Sequence, residues 1–123
     1  MNIVDSSGWL EYFAEGKNAT FFAPAITKTA ELIVPTVSLY EVFKRVHQQR
    51  GESEALVAVA LMEQGAVVDL DATIALRAAR ISVEMKLPMA DSIMLATARH
   101  HDAVLWTQDA DFERVEGVRY VRT

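Results

Sequence analysis

Four short segments set carboxylates beside apolar runs. "IVDSS" puts Asp5 directly behind residues 2–4, and "PTVSLYE" puts Glu41 one turn into the helix that follows residues 32–34. "MADSIMLATA" carries Asp91, and "TQDADF" puts Asp109 and Asp111 behind residues 103–106. A carboxylate so close to a core is costly unless its charge is compensated. Each acid has an ordinary explanation. Asp5 and Asp109 stand at helix N-cap positions, and Asp91 near a helix start benefits from the dipole. Glu41 lies three residues after Ser38, a capping-box spacing, and can pair with Lys44 or Arg45 on its own helix. The joint pattern says more. Residues 91, 94, 95 and 98 share one helical face, so Asp91 lies in the stripe of Met94, Leu95 and Ala98. Four strand-end or helix-start acids meeting at one edge of a sheet would repel each other without a cation. Oxygen ligands with neither His nor Cys among them suit a hard ion such as Mg²⁺ or Mn²⁺.

Positioning those acids requires alternating elements. Strands are predicted at residues 2–4, 32–34, 66–70 and 103–106, with a fifth, at the edge, over 118–121. Helical spacing of Trp9, Leu10 and Phe13 predicts a helix stopped by Gly16 and Asn18. Residues 19–31 suggest a second short helix that Pro24 argues against. Further helices are predicted over 36–49, over 53–65 with Gly65 as its stop, over 72–86 behind an Asp71 cap, and over 88–101 opened by Pro88. Strands alternating with helices imply βαβ units. The predicted fold is α/β: one domain over residues 1–123, a three-layer α/β/α sandwich around a parallel sheet of four to five strands. In such sheets ligands bind outside the carboxyl ends of the strands, where the acids stand.

Composition bounds the chemistry. The chain has 123 residues, 51% of them hydrophobic, enough for a genuine core. Five Gly and three Pro argue against low complexity. With no cysteine, disulfides, thiolate zinc sites and thiol nucleophiles are excluded. "MNIVDSSGWLEYF" has neither the basic start nor the cleavage site of a signal peptide, and "ALVAVALM" is too short to span a bilayer. The expected location is cytoplasmic, with no membrane contact. Seventeen acids against 12 Lys and Arg count against nucleic-acid binding by bulk charge, so such binding needs local cations or ions held by the acids.

The ordered set "IVDSS", "PTVSLYE", "MADSIMLATA" and "TQDADF" resembles the successive acidic motifs of PIN-domain ribonucleases. Order, spacing and length are most similar to the VapC-like toxins of toxin–antitoxin pairs, across essentially the whole chain. That resemblance implies that Asp5, Glu41, Asp91 and Asp109 form the catalytic centre, with Asp5, Asp91 and Asp109 on the metal. It implies an auxiliary or capping role for Asp111, while Ser6 and Thr107 orient carboxylates or water. The implied reaction is Mg²⁺- or Mn²⁺-dependent endonucleolytic hydrolysis of RNA. The implied partners are an RNA substrate, a cognate antitoxin protein and a second copy in a homodimer. Lys44, Arg45 and Arg50 follow Glu41, and Arg99 lies farther along the Asp91 helix. These four are candidates for phosphate contacts, against the alternative of a solvated face with internal ion pairs.

Other readings are weaker. Asp71 is a good N-cap and Asp69 alternates to the surface of a strand toward the sheet edge. His100 and His101 are adjacent and should diverge around their helix. Trp9, Phe13, Tyr40 and Phe43 read as core or interface rather than as base-stacking platforms. No Gly-rich phosphate loop is present. A haloacid-dehalogenase-type phosphatase would need an acid at position 7, where Ser7 stands, and a response-regulator receiver would need a Lys where Thr107 and Gln108 stand. A non-catalytic PIN-like module that binds RNA or protein is the main alternative.

Overall fold

Short apolar strands with no polar face must be covered on both sides, and the three at the centre of the sheet, over residues 2–4, 32–35 and 104–107, are. In the computed structural model, which describes residues 1–123, the strands are β1 (Asn2–Val4), β2 (Leu32–Pro35), β3 (Ala66–Val68), β4 (Val104–Thr107) and β5 (Val118–Tyr120). They run in the order β3-β2-β1-β4-β5, and every pairing is parallel. Six helices complete the layers: α1 (Ser6–Phe13), α2 (Ala19–Thr27), α3 (Thr36–Arg50), α4 (Glu52–Met62), α5 (Ala72–Met85) and α6 (Met89–His100). Alternate strand residues enter opposite cores. Ile3, Ile33 and Leu105 pack against Ile74, Ile81, Met94 and Leu95 of α5 and α6. Val4, Leu32, Val34 and Trp106 pack against Trp9, Phe22, Val42, Val46 and Met62 of α1 to α4. The predicted three-layer α/β/α architecture is the observed one.

The strand order creates the site. From β1 the chain moves outward through β2 to the β3 edge, then returns to lay β4 on the other side of β1. The order reverses between β1 and β4, and at such a reversal a crevice opens outside the carboxyl ends. Val4 pairs with Trp106, and the Asp5 amide donates to the Trp106 carbonyl at 2.9 Å, so the ends of β1 and β4 are level.

Two local features depart from expectation. α2 forms with Pro24 inside it, although Pro supplies no amide to the helix. Ser38 makes no capping box. α3 begins at Pro35 without a side-chain cap, and the fully buried Ser38 hydroxyl contacts Met94 Sδ of α6 at 3.4 Å. The contact joins the helix carrying Glu41 to the helix carrying Asp91. α4 is apolar all round: Ala55, Ala58 and Met62 face inward while Leu56, Val57 and Leu61 are exposed. Asp71 does cap α5, accepting from the Ile74 amide at 2.9 Å, and β3 lies at the sheet edge.

α1 leaves β1 without a loop and passes close to α2. A Cβ on Gly8 would lie 2.6 Å from Phe22 Cε1 and 2.8 Å from Val4 Cγ1, both in the core. Gly8→Ala should therefore cost about 1–3 kcal/mol through overpacking, and Asp71→Ala about 1 kcal/mol through its lost cap. Urea unfolding checks both. A Gly8→Ala protein as stable as wild type would mean that α1 can move away from Phe22.

Candidate metal centre

β1 runs directly into Asp5 and β4 reaches Asp109 one residue beyond its end, and each carboxylate caps the next helical turn. Asp5, 4% exposed, has the extended conformation of an N-cap and accepts from the Ser6 amide at 2.8 Å through Oδ1. Its Oδ2 accepts from Ser7 Oγ at 3.0 Å and Thr107 Oγ1 at 2.8 Å. Asp109 caps the single 3₁₀ turn Ala110–Phe112, its Oδ1 accepting from the Asp111 amide at 2.9 Å. Thr107, fully buried, joins the two: its hydroxyl donates to Asp5 and accepts from the Asp109 amide at 3.0 Å. The capping role and the clustering therefore coexist in the same side chains.

Asp91 comes from the first turn of α6. One carboxylate oxygen from each of Asp5, Asp91 and Asp109 lies within 4.8 Å of the others. Glu41 stands outside that trio but is tied to it, accepting from Ser6 Oγ at 2.7 Å. Asp111 is exposed at the rim.

The electrostatics arise from this crowding. Burial pushes the Asp5 carboxyl above its usual range, against the pull of hydrogen bonds from Thr107, Ser7 and Ser6, and the Asp109 charge adds to the rise. Asp91 is pushed up from 3.8 to about 7, first by burial and then by the charges of Asp5, Asp109, Asp111 and Glu41. No hydrogen bond offsets these effects at Asp91. A carboxylate trio without His or Cys suits a hard divalent cation, which would neutralise charge that the protein leaves unbalanced. The donor set therefore fits such an ion.

The remaining candidate residues distribute unevenly. Lys44 and Arg45 are exposed beside a cavity that Ser6 and Glu41 also line. Neither pairs with Glu41; the one ion pair is Arg50 with Glu54, at 3.6 Å. Arg99 is not brought to the acids. It is exposed eight residues beyond Asp91, about 12 Å along a helix that runs away from the carboxyl edge. His100 and His101 do not diverge, because His101 is already the C-cap; their rings meet edge to face at 5.1 Å. Trp9 is buried, and Phe13 stacks on it at 5.7 Å. Tyr40 is no core residue at all, being 62% exposed. Two contributors are not evident from the sequence. Ser7 stands two residues after Asp5, the one signal that it could reach that carboxylate, and Ser38 carries no signal for its contact with Met94.

Carboxylates converging at the switch point of a parallel sheet define an α/β domain organised around an acidic centre. The chain belongs to the PIN domain family, whose family model matches residues 3–118. No curated protein matches the sequence. A toxin–antitoxin complex from Klebsiella pneumoniae superposes with a TM-score of 0.81 at 22% identity, over 97% of this chain and 96% of that one. VapC20 of Mycobacterium tuberculosis, described as a sarcin–ricin loop cleaving toxin, gives 0.77 at 17% identity, over 94% and 95%. DNA-bound VapBC from Salmonella typhimurium gives 0.75 at 17% identity, over 99% and 98%. At these identities the likeness is one of fold.

Asp91 generates a signed pH dependence. Its raised pKa means that the folded, metal-free protein keeps this proton up to about pH 7, whereas the unfolded chain releases it near 3.8. Between those values the folded state binds more protons, so this group's contribution to stability falls as pH rises. Asp91→Asn removes the effect. In EDTA, wild type and variant should have similar urea stability near pH 4, with the variant ahead by about 1 kcal/mol at pH 8. A variant less stable at pH 8 would make Asp91 an ordinary helix-start acid.

Proposed function

We propose that this protein is a Mg²⁺- or Mn²⁺-dependent endoribonuclease and the toxin of a toxin–antitoxin pair. The convergence of Asp5, Asp91 and Asp109 within 4.8 Å, at the switch point of a PIN-family sheet, carries this reading. These three residues would hold the ion, which supplies Lewis acidity and charge neutralisation for phosphodiester hydrolysis. The protein's part is orientation. Thr107 and Ser7 fix Asp5, and Thr107 sets the Asp109 backbone. Ser6 holds Glu41 by Oε1, leaving Oε2 to accept the proton of an attacking water. Hydrolysis of RNA is supported by the structural likeness to VapC20, described as a loop-cleaving toxin.

The antitoxin belongs to the same reading, since the Klebsiella and Salmonella neighbours are toxin–antitoxin assemblies. A groove of about 620 Å³ between α1, α3 and α4 offers a partner an apolar wall of Leu10, Phe13, Val57 and Leu61. On α5, Leu76 and Val83 are exposed seven residues apart, a face that suits the proposed homodimer. No helix is long and apolar enough to cross a membrane, and the proposed site of action is the cytoplasm.

Cleavage of RNA in Mg²⁺ should disappear in EDTA and fall at least about 100-fold in Asp5→Asn, Asp91→Asn and Asp109→Asn. Thr107→Val should cost about 10–100-fold by loosening Asp5. Asp69→Asn, at the far edge strand, should stay within about three-fold of wild type. Mg²⁺ should raise the melting temperature of wild type and not of Asp5→Asn. Cleavage that persists in folded Asp5→Asn, or an equal thermal shift in both proteins, would remove the acids from the proposed role.

A further inference from the structure

The cavity next to the acids is built from α3 and α1 and holds about 340 Å³. Ser6 and Glu41 form its inner wall, and Tyr40, Lys44, Arg45 and Gln48 its outer one. Residues 40, 44 and 48 succeed one another at helical spacing, so they form a single stripe. Tyr40 is the most exposed aromatic among the large exposed hydrophobics, at 62%. Its ring lies outside both core clusters. Lys44 Nζ lies 5.7 Å from the ring centroid, near the outer limit of a cation–π contact, and is free to turn to another anion. Arg45 forms no ion pair, since the only one in the chain joins Arg50 to Glu54. In a chain of net charge −5, two cations outside any ion pair and an exposed aromatic ring lie together beside Ser6 and Glu41.

We infer that Tyr40, Lys44 and Arg45 form a nucleotide subsite that receives one unpaired RNA base and its phosphate immediately beside the scissile bond. This rests on the nuclease reading and deepens it. The base stacks on Tyr40, which any base can do because each has a π-face. Lys44 and Arg45 meet the phosphate that leads from that base toward Ser6 and Glu41. A base within a duplex has no free face to offer, so the subsite selects single strands, loops or bulges.

The test separates this subsite from catalysis. Binding of a fluorescein-labelled eight-nucleotide single strand and of its duplex is measured in EDTA, and cleavage of the single strand in Mg²⁺. Wild type should prefer the single strand by about tenfold or more. Tyr40→Ala should lose about tenfold in single-strand affinity and little for the duplex, while Tyr40→Phe should keep wild-type affinity. Lys44→Gln should lower the slope of log affinity against log salt by about one. In cleavage, Tyr40→Ala should raise KM with little change in kcat. Tyr40→Ala that binds and cleaves like wild type, while cleavage still needs Asp5, overturns the subsite alone and leaves the face to a protein partner. Tyr40-dependent binding of single strands with no cleavage in any metal supports the subsite and overturns the nuclease reading.

Discussion

Mutual repulsion between Asp5, Asp91 and Asp109 is the force that the surrounding structure has to contain. Three carboxylates whose oxygens lie within 4.8 Å cannot all be charged cheaply in a partly buried crevice. The protein handles two of them internally. Asp5 receives one amide and two hydroxyls, and Asp109 receives an amide through its capping role. Asp91 receives no hydrogen bond, and it is the acid held near pH 7. Its charge is left for something outside the chain, a proton or a cation, to satisfy. A structural cap would instead be satisfied by the backbone it caps.

The fold makes this arrangement rigid by using few parts. Strand register sets Val4 level with Trp106, so Asp5 leaves the sheet level with Thr107, two residues before Asp109. One buried hydroxyl, on Thr107, then touches both exits. Ser6 does the equivalent across helices, giving its amide to Asp5 and its hydroxyl to Glu41. The Ser38–Met94 contact holds α3 against α6, and with it the separation of Glu41 from Asp91. Four small side chains, Ser6, Ser7, Ser38 and Thr107, therefore govern the geometry of four acids.

Legibility in the sequence tracks the range of the interaction. Asp5 and Asp109 are readable because each sits within two residues of the end of an apolar strand, a local relation. Asp91 is readable because an acid in the stripe of Met94, Leu95 and Ala98 violates helical periodicity. The parallel sheet and its layers are readable from the alternation of strands and helices. Contacts that depend on how two helices approach are not. Ser38 matches a capping box locally, yet the long-range meeting of α3 with α6 buries it against Met94. Arg99 shares the Asp91 helix, but strand direction makes that helix run away from the site. Tyr40 resembles the other aromatics in type and spacing, and only the packed orientation of α3 shows that it faces solvent. Pro24 illustrates the opposite case, a local penalty small enough for tertiary packing of Phe22, Ala25 and Ile26 to override.

An acidic chain can handle a polyanion only if its charge is distributed unevenly. Net charge −5 would repel RNA at long range, yet three of the 17 acids converge where the proposed cation would sit. Filling that centre removes the strongest local repulsion at the point where a phosphate must arrive. Lys44 and Arg45 then lie beside a neutralised site rather than being offset by it, and neither is consumed by an ion pair. In the proposed nuclease, metal occupancy and substrate affinity would be coupled by this layout without any conformational change. The same ion that would activate the reaction would also strengthen the hold on the substrate's phosphates.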